Sequence, residues 1–167
     1  FLSFNFSDKK EEINIFKKDY IDITKNRSSV PNLISESLLL KTLDEEIISS
    51  EDAFYTLNTL LCIKEADSVL YAKHQKAIDT KINYGIKLLT SLIDLRGYLN
   101  DFYDNRLSLD VAYLLRRAVS NGFKVNAETL KCGEALIVNT SQSYNPVLAT
   151  TALKYRALNG ENVLAQS

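Results

Sequence analysis

His74 is the only histidine of the chain, so a mechanism that needs an imidazole base or ligand has one place to put it. Its neighbours are Lys73, Gln75 and Lys76, which set it on a solvated stretch of helix rather than in a reactive cleft. The two cysteines, Cys62 and Cys132, are not a CxxC pair, and with one histidine they do not make a Cys/His zinc site. Two buried thiols packing as small apolar residues are expected, with a single disulfide as the alternative. The densest acidic stretch is Asp44, Glu45, Glu46, Glu51 and Asp52. It lacks the central glycine of an EF-hand loop and reads as a solvated face. No Glu-x-x-His, HExxH, GxSxG, P-loop or GxGxxG pattern occurs, and 5 glycines leave little material for a phosphate-cradling loop. These patterns assign no catalytic residue, no cofactor-binding residue and no metal ligand.

Two further groups of residues have spacing that points to binding. In Leu114 to Gly133, Ala118, then Gly122, then a second helix follow helix-turn-helix spacing, and Arg116, Arg117, Lys124 and Lys131 add positive charge. Glu128, however, falls where the second helix should offer an apolar residue to the first. Across the chain 20 Lys+Arg meet 21 Asp+Glu, a net charge of -1, so no basic field exists to hold phosphates. The segment reads as a capped corner between two helices, and nucleic acid is not an expected partner.

The second group is apolar. Tyr98, Phe102 and Tyr103 lie about one helical turn apart, and Leu88, Leu92, Leu95, Leu99 and Phe102 follow heptad spacing. In a chain with 9 Tyr, 7 Phe, no Trp and no Met, aromatic rings supply much of the core volume, so packing is their first expected role. Rings of this kind are also enriched at protein interfaces. The heptad row is not sustained by flanking charges, so it reads as core, with an intermolecular seam as the alternative. Tyr98, Phe102, Tyr103, Leu95 and Leu99 form the candidate partner-contact set.

The elements that must position these residues are helical almost throughout. Ser7 and Asp8 mark a helix start, followed by Ile13, Phe16, Tyr20 and Ile23 on one face. Pro31 suits the first turn of a second helix that carries Leu33 to Ile47. Ser49 and Asp52 have the spacing of a capping box for a third, with Asp in place of the usual Glu or Gln. Glu51 to Asn105 contains no proline; unbroken it would be a rod of about 80 Å. A break near Asp79-Thr80, with Asp79 as cap, is favoured over the unbroken rod. Gly85 and Gly97 inside this stretch are explained by close approach of another helix. Ser108 is the expected cap of a helix ending at Asn121-Gly122, Asn126 the cap of the next, and Pro146 the start of a last helix that stops at Asn159-Gly160.

These readings converge on an all-α fold: a bundle of about six or seven helices around two long central antiparallel helices. At 167 residues one domain is expected, and burial of roughly 70% of the unfolded surface needs no metal or disulfide. Residues 1–7 read as an extension, 8–160 as a single whole helical domain and 161–167 as a tail. The most apolar stretch, Ile82 to Leu99, contains Lys87, Asp94 and Arg96, so no membrane span is expected. The leading functional expectation is a non-enzymatic helical protein–protein interaction module, such as an adaptor, a secretion or assembly component, or an effector, with a protein partner. One alternative is an enzyme with a carboxylate- or Tyr-based pocket between helices. Another is a self-assembling, homo-oligomeric subunit joined through the 82–102 seam.

Overall fold

In the computed structural model of the chain, residues 30–140, 146–158 and 160 are described, with side chains from Glu36 onward. The expected first helix with Ile13, Phe16, Tyr20 and Ile23, the loop 141–145 and the tail 161–167 lie outside them. The described residues form seven α-helices: α1 (Val30–Asp44), α2 (Ser50–Ala66), α3 (Ser68–Lys73), α4 (Gln75–Leu92), α5 (Asn105–Ser120), α6 (Ala127–Thr140) and α7 (Pro146–Leu158). The protein is an all-α helical bundle. By contacts the chain divides into two units, Phe1–Leu40 and Lys41–Ser167.

Local chemistry explains the helix starts. Ser49 Oγ accepts from the Asp52 N–H at 3.2 Å, and Asp52 Oδ2 accepts from the Ser49 N–H at 3.1 Å. This closes a reciprocal capping box, with Glu51 and Asp52 on the positive end of α2. Asn126 Oδ1 accepts from the Glu128 N–H at 2.8 Å and so opens α6. Asn121 closes α5, followed by Gly122 at φ 88°, a left-handed position that suits glycine. Pro146 occupies the first position of α7, as its fixed φ and missing N–H favour.

The break within 51–105 lies earlier than expected. Asp67 ends α2 through its backbone N–H and starts α3 through its side chain, Oδ1 accepting from the Leu70 N–H at 3.0 Å. His74 then separates α3 from α4. Asp79 caps nothing. It sits inside α4 and accepts the Tyr71 hydroxyl at 2.6 Å; burial first and this carboxylate second push the Tyr71 phenol up to about 12. Ser108 is likewise not the cap of α5. Asp104 holds that place, accepting from the Arg106 N–H at 2.8 Å, while Ser108 is buried and its Oγ accepts from the Leu99 N–H at 3.1 Å.

Packing follows from the apolar faces. α2 lies against α4 on one side and α5 on the other, and α5 in turn packs against α6 and α7. Leu57, Leu60, Leu61, Ile78, Ile82 and Leu89 are fully buried between α2 and α4 or close by. Leu109, Ala112, Leu136, Ile137, Ala152 and Tyr155 form the cluster shared by α5, α6 and α7. Leu92, which the heptad row marks as central, is only partly buried at the end of α4. Gly85 behaves as expected of a close approach: a Cβ there would lie 2.1 Å from Leu57 Cδ1. Gly97 is not helical at all. It has φ 90° in the turn after α4, and a Cβ would meet the Cys132 carbonyl oxygen at 2.5 Å. No helix among the described residues is long and apolar enough to cross a membrane.

Candidate functional site

The segment between α4 and α5 carries the candidate contact residues, and its backbone is fastened along its length. Ile93 pairs with Leu99 in an isolated antiparallel bridge, and the Asp94 N–H donates to the Tyr98 carbonyl at 2.8 Å. Asp94 Oδ1 accepts from the N–H groups of Arg96 at 2.8 Å and Tyr98 at 3.0 Å. Burial works against the ionised Asp94, but these two N–H groups and the Arg96 guanidinium outweigh it and hold the carboxyl below its ordinary value. The Asn100 N–H donates to Leu92 O at 2.8 Å, and Asp101 Oδ2 accepts from the Ser50 N–H at 2.7 Å, tying the segment to the start of α2.

This geometry divides the five residues. Leu99 is 2% exposed and belongs to the core, so the structure removes it from the contact set. Tyr98 is partly buried against the α5–α6–α7 cluster, with the Arg96 guanidinium 5.4 Å from its ring centre. Leu95 is 90% exposed, Tyr103 98% and Phe102 38%. The row Leu88 to Phe102 is therefore not a helical seam. The helix stops at Leu92, and the residues after it leave in different directions because Gly97 turns the chain. Tyr98, Phe102 and Tyr103, with Asp94 and Asp104 beside them, line a cavity of about 480 Å³.

Three other features bear on function. The first is an ion pair between α2 and α5. Arg117 donates through Nη2 to Glu65 Oε1 at 2.5 Å, through Nη1 to Asn58 Oδ1 at 2.7 Å and through Nη2 to Cys62 Sγ at 3.1 Å. Cys62 is exposed and Cys132 partly buried, so neither is the fully buried thiol expected, and both are free. One of the four charges that favoured a nucleic-acid reading, Arg117, is spent inside the protein, and Lys131 faces Glu128 at 3.7 Å. The Arg117 hydrogen bonds hold the Glu65 carboxyl below its ordinary value. A depressed carboxylate adds stability that is present above its unfolded pKa and lost as pH falls through the folded one. Glu65→Gln is therefore expected to cost about 1 kcal/mol at pH 7, a value already reduced for the solvent reaching Glu65. The difference from the parent should vanish in acid, below the lowered carboxyl value. Urea midpoints across that pH range check both the size and the sign.

The second feature is a groove of about 840 Å³, lined by the apolar Leu43, Ile47, Ala77 and Tyr84 and by Glu46, Lys73, His74, Lys76 and Lys81. Lys81 Nζ donates to the Glu45 carbonyl oxygen. No periodicity in the sequence signals this groove, because its walls come from segments that meet only in the fold. Three lysines against one glutamate give its lining a positive balance.

The third is a pair of cavities along α2 and α5, of about 410 Å³ and 190 Å³, both lined by Phe54 and Asp110. Among the described residues no group of His, Cys, Asp and Glu side chains is placed to hold a metal ion. Fold and site together define a helical bundle with a fastened, projecting apolar segment. No protein-family model matches the chain, and no curated protein and no solved structure is detectably similar to it.

Proposed function

We propose that the protein is a non-enzymatic helical interaction module that engages a protein partner through residues 93–104, with Leu95 and Tyr103 as anchors. The observation that carries this reading is the near-complete exposure of both side chains on a segment whose backbone is pinned at Asp94, Asn100 and Asp101. Leaving a leucine in water forgoes about 1.5–3 kcal/mol of burial, a loss that binding recovers. A backbone already fixed loses little further entropy on association, so more of the contact energy appears as affinity. The adjoining cavity is large enough to take a side chain of the partner.

A photo-crosslinking residue placed at 95 and, separately, at 103 tests the reading in extract from the native source. The control position is Val69, 76% exposed on α3. Both test positions should give the same adduct, and Val69 none. Unlabelled parent protein should compete the adduct away. A Leu95→Asp/Tyr103→Ala double variant should compete about 30-fold less well, the effect of losing roughly 2 kcal/mol of anchor contact. Equal labelling at position 69, or equal competition by the variant, removes the proposal. An adduct of twice the chain mass would instead support the self-assembling reading.

A further inference from the structure

Asp110 lies in the second turn of α5 and faces both cavities of the α2–α5 groove. The other carboxylates of the larger cavity have structural roles. Glu51 sits in the first turn of α2, on the positive end of its dipole, and Asp104 is the N-cap of α5. Asp110 has no such role. It is half-buried, and among the described residues it accepts no hydrogen bond and forms no ion pair. Burial pushes its carboxyl up, while Arg106 and Lys154 pull it down without reaching it. Solvent still reaches this carboxylate, and a ligand that brings an N–H donor to it adds a charge-assisted hydrogen bond.

The walls indicate which donor fits. Phe54, Tyr55 and Phe102 line the larger cavity, and Phe54 and Tyr113 the smaller. In the larger one Glu51, Asp104 and Asp110 face a single cation, Arg106. The smaller one carries two cations, Arg117 and Lys154, against Asp110 alone, so the larger cavity is the one whose charge suits a cation. Aromatic faces beside a carboxylate are the combination that holds an organic cation, since the ring quadrupole and the carboxylate attract the same charge. The larger cavity also shares Phe102 and Asp104 with the cavity lined by Tyr103, so the two adjoin.

We propose that the larger cavity, lined by Phe54, Tyr55, Phe102 and Asp110, takes an arginine or lysine side chain of the protein partner, with the carboxylate of Asp110 accepting its N–H donors. This rests on the interaction reading above and adds to it the chemistry of the partner: a basic residue next to the segment that meets Leu95 and Tyr103.

The probe is N-acetyl-arginine amide, titrated into the full chain while the backbone amide resonances of Phe54, Phe102 and Asp110 are followed. N-acetyl-norleucine amide is the neutral comparison. Saturable shifts with the arginine amide alone are expected. Asp110→Asn should weaken them about tenfold, and Phe54→Leu should weaken them while keeping an apolar wall. Equal shifts with the norleucine amide, an Asp110→Asn protein that binds as well as the parent, or no shift at all overturns the proposal. If Asp110→Asn does not fold, the Phe54→Leu arm decides alone. Arginine binding that depends on Asp110, without an adduct at 95 or 103, keeps the pocket and removes the protein partner. An adduct without arginine binding does the reverse.

Discussion

Gly97→Ala is expected to lower stability by about 3 kcal/mol. Two costs add. A residue with a Cβ at φ 90° loses roughly 1–2 kcal/mol relative to glycine. The new methyl also has nowhere to go: it would lie 2.5 Å from the Cys132 carbonyl oxygen and 2.9 Å from Leu136 Cβ. The first of these is backbone in the middle of α6, which yields only if the helix moves, and overpacking of this kind costs about 1–3 kcal/mol. In a domain of this size the sum lowers the melting temperature by on the order of 10 °C. Urea denaturation should show a lower midpoint with an unchanged slope, since the folded and unfolded surfaces stay the same. A loss below about 1 kcal/mol would mean that the turn does not sit against α6. The same substitution should weaken crosslinking at position 95, because Gly97 and Asp94 together set the direction in which Leu95 projects.

The second large effect lies between α2 and α4. Leu57→Ala is expected to cost about 2–5 kcal/mol, the range for emptying a fully buried leucine site. Gly85→Ala alone should cost less. Its methyl meets Leu57 Cδ1 at 2.1 Å, with Cγ at 3.2 Å and Cδ2 at 3.3 Å, so Leu57 must leave its rotamer in a packed core. Against this, alanine gains up to about 1 kcal/mol of helix propensity over glycine. The net loss is on the order of 1–2 kcal/mol. In the double variant the atom that clashes is gone and the space it filled is partly taken by the new methyl. The two losses should therefore fall short of additivity by on the order of 1–2 kcal/mol. Strict additivity in a double-mutant cycle would show that the two side chains do not meet.

Some of this was legible in the residues. The capping box at Ser49 and Asp52, the left-handed stop at Gly122, the Asn126 cap and the Pro146 start each depend on groups within four positions of one another. Such local hydrogen bonds act the same way in almost any surroundings. The all-α class follows from apolar spacing for the same reason. Gly85 was legible as a close approach because a glycine inside a helix is unfavourable without one.

The misplaced elements share the opposite cause. Asp79 and Asp67 are both acceptable caps by residue type. Tyr71, held over Asp79 by the turn at α3, takes that carboxylate, and Asp67 is left to punctuate the chain. Ser108 and Asp104 compete in the same way, and the burial of Ser108 beneath Leu99 decides for Asp104. The heptad row from Leu88 to Phe102 assumed one continuous helix, and the turn at Gly97 removes that assumption.

The candidate site divides along this line. Residue type alone marked Leu95, Phe102 and Tyr103 as large apolar groups able to meet a partner. That Leu95 and Tyr103 point into solvent while Leu99 points into the core was decided by the bridge at Ile93 and Leu99 and by the seat of Gly97 on α6. The partnerless carboxylate of Asp110 was invisible beforehand, because its surroundings come from α2, α5 and α7, brought together only by packing. Local spacing thus determined the helical class and the caps at Ser49, Gly122, Asn126 and Pro146. The tertiary structure decided which apolar and charged side chains face water, since exposure depends on neighbours distant in sequence.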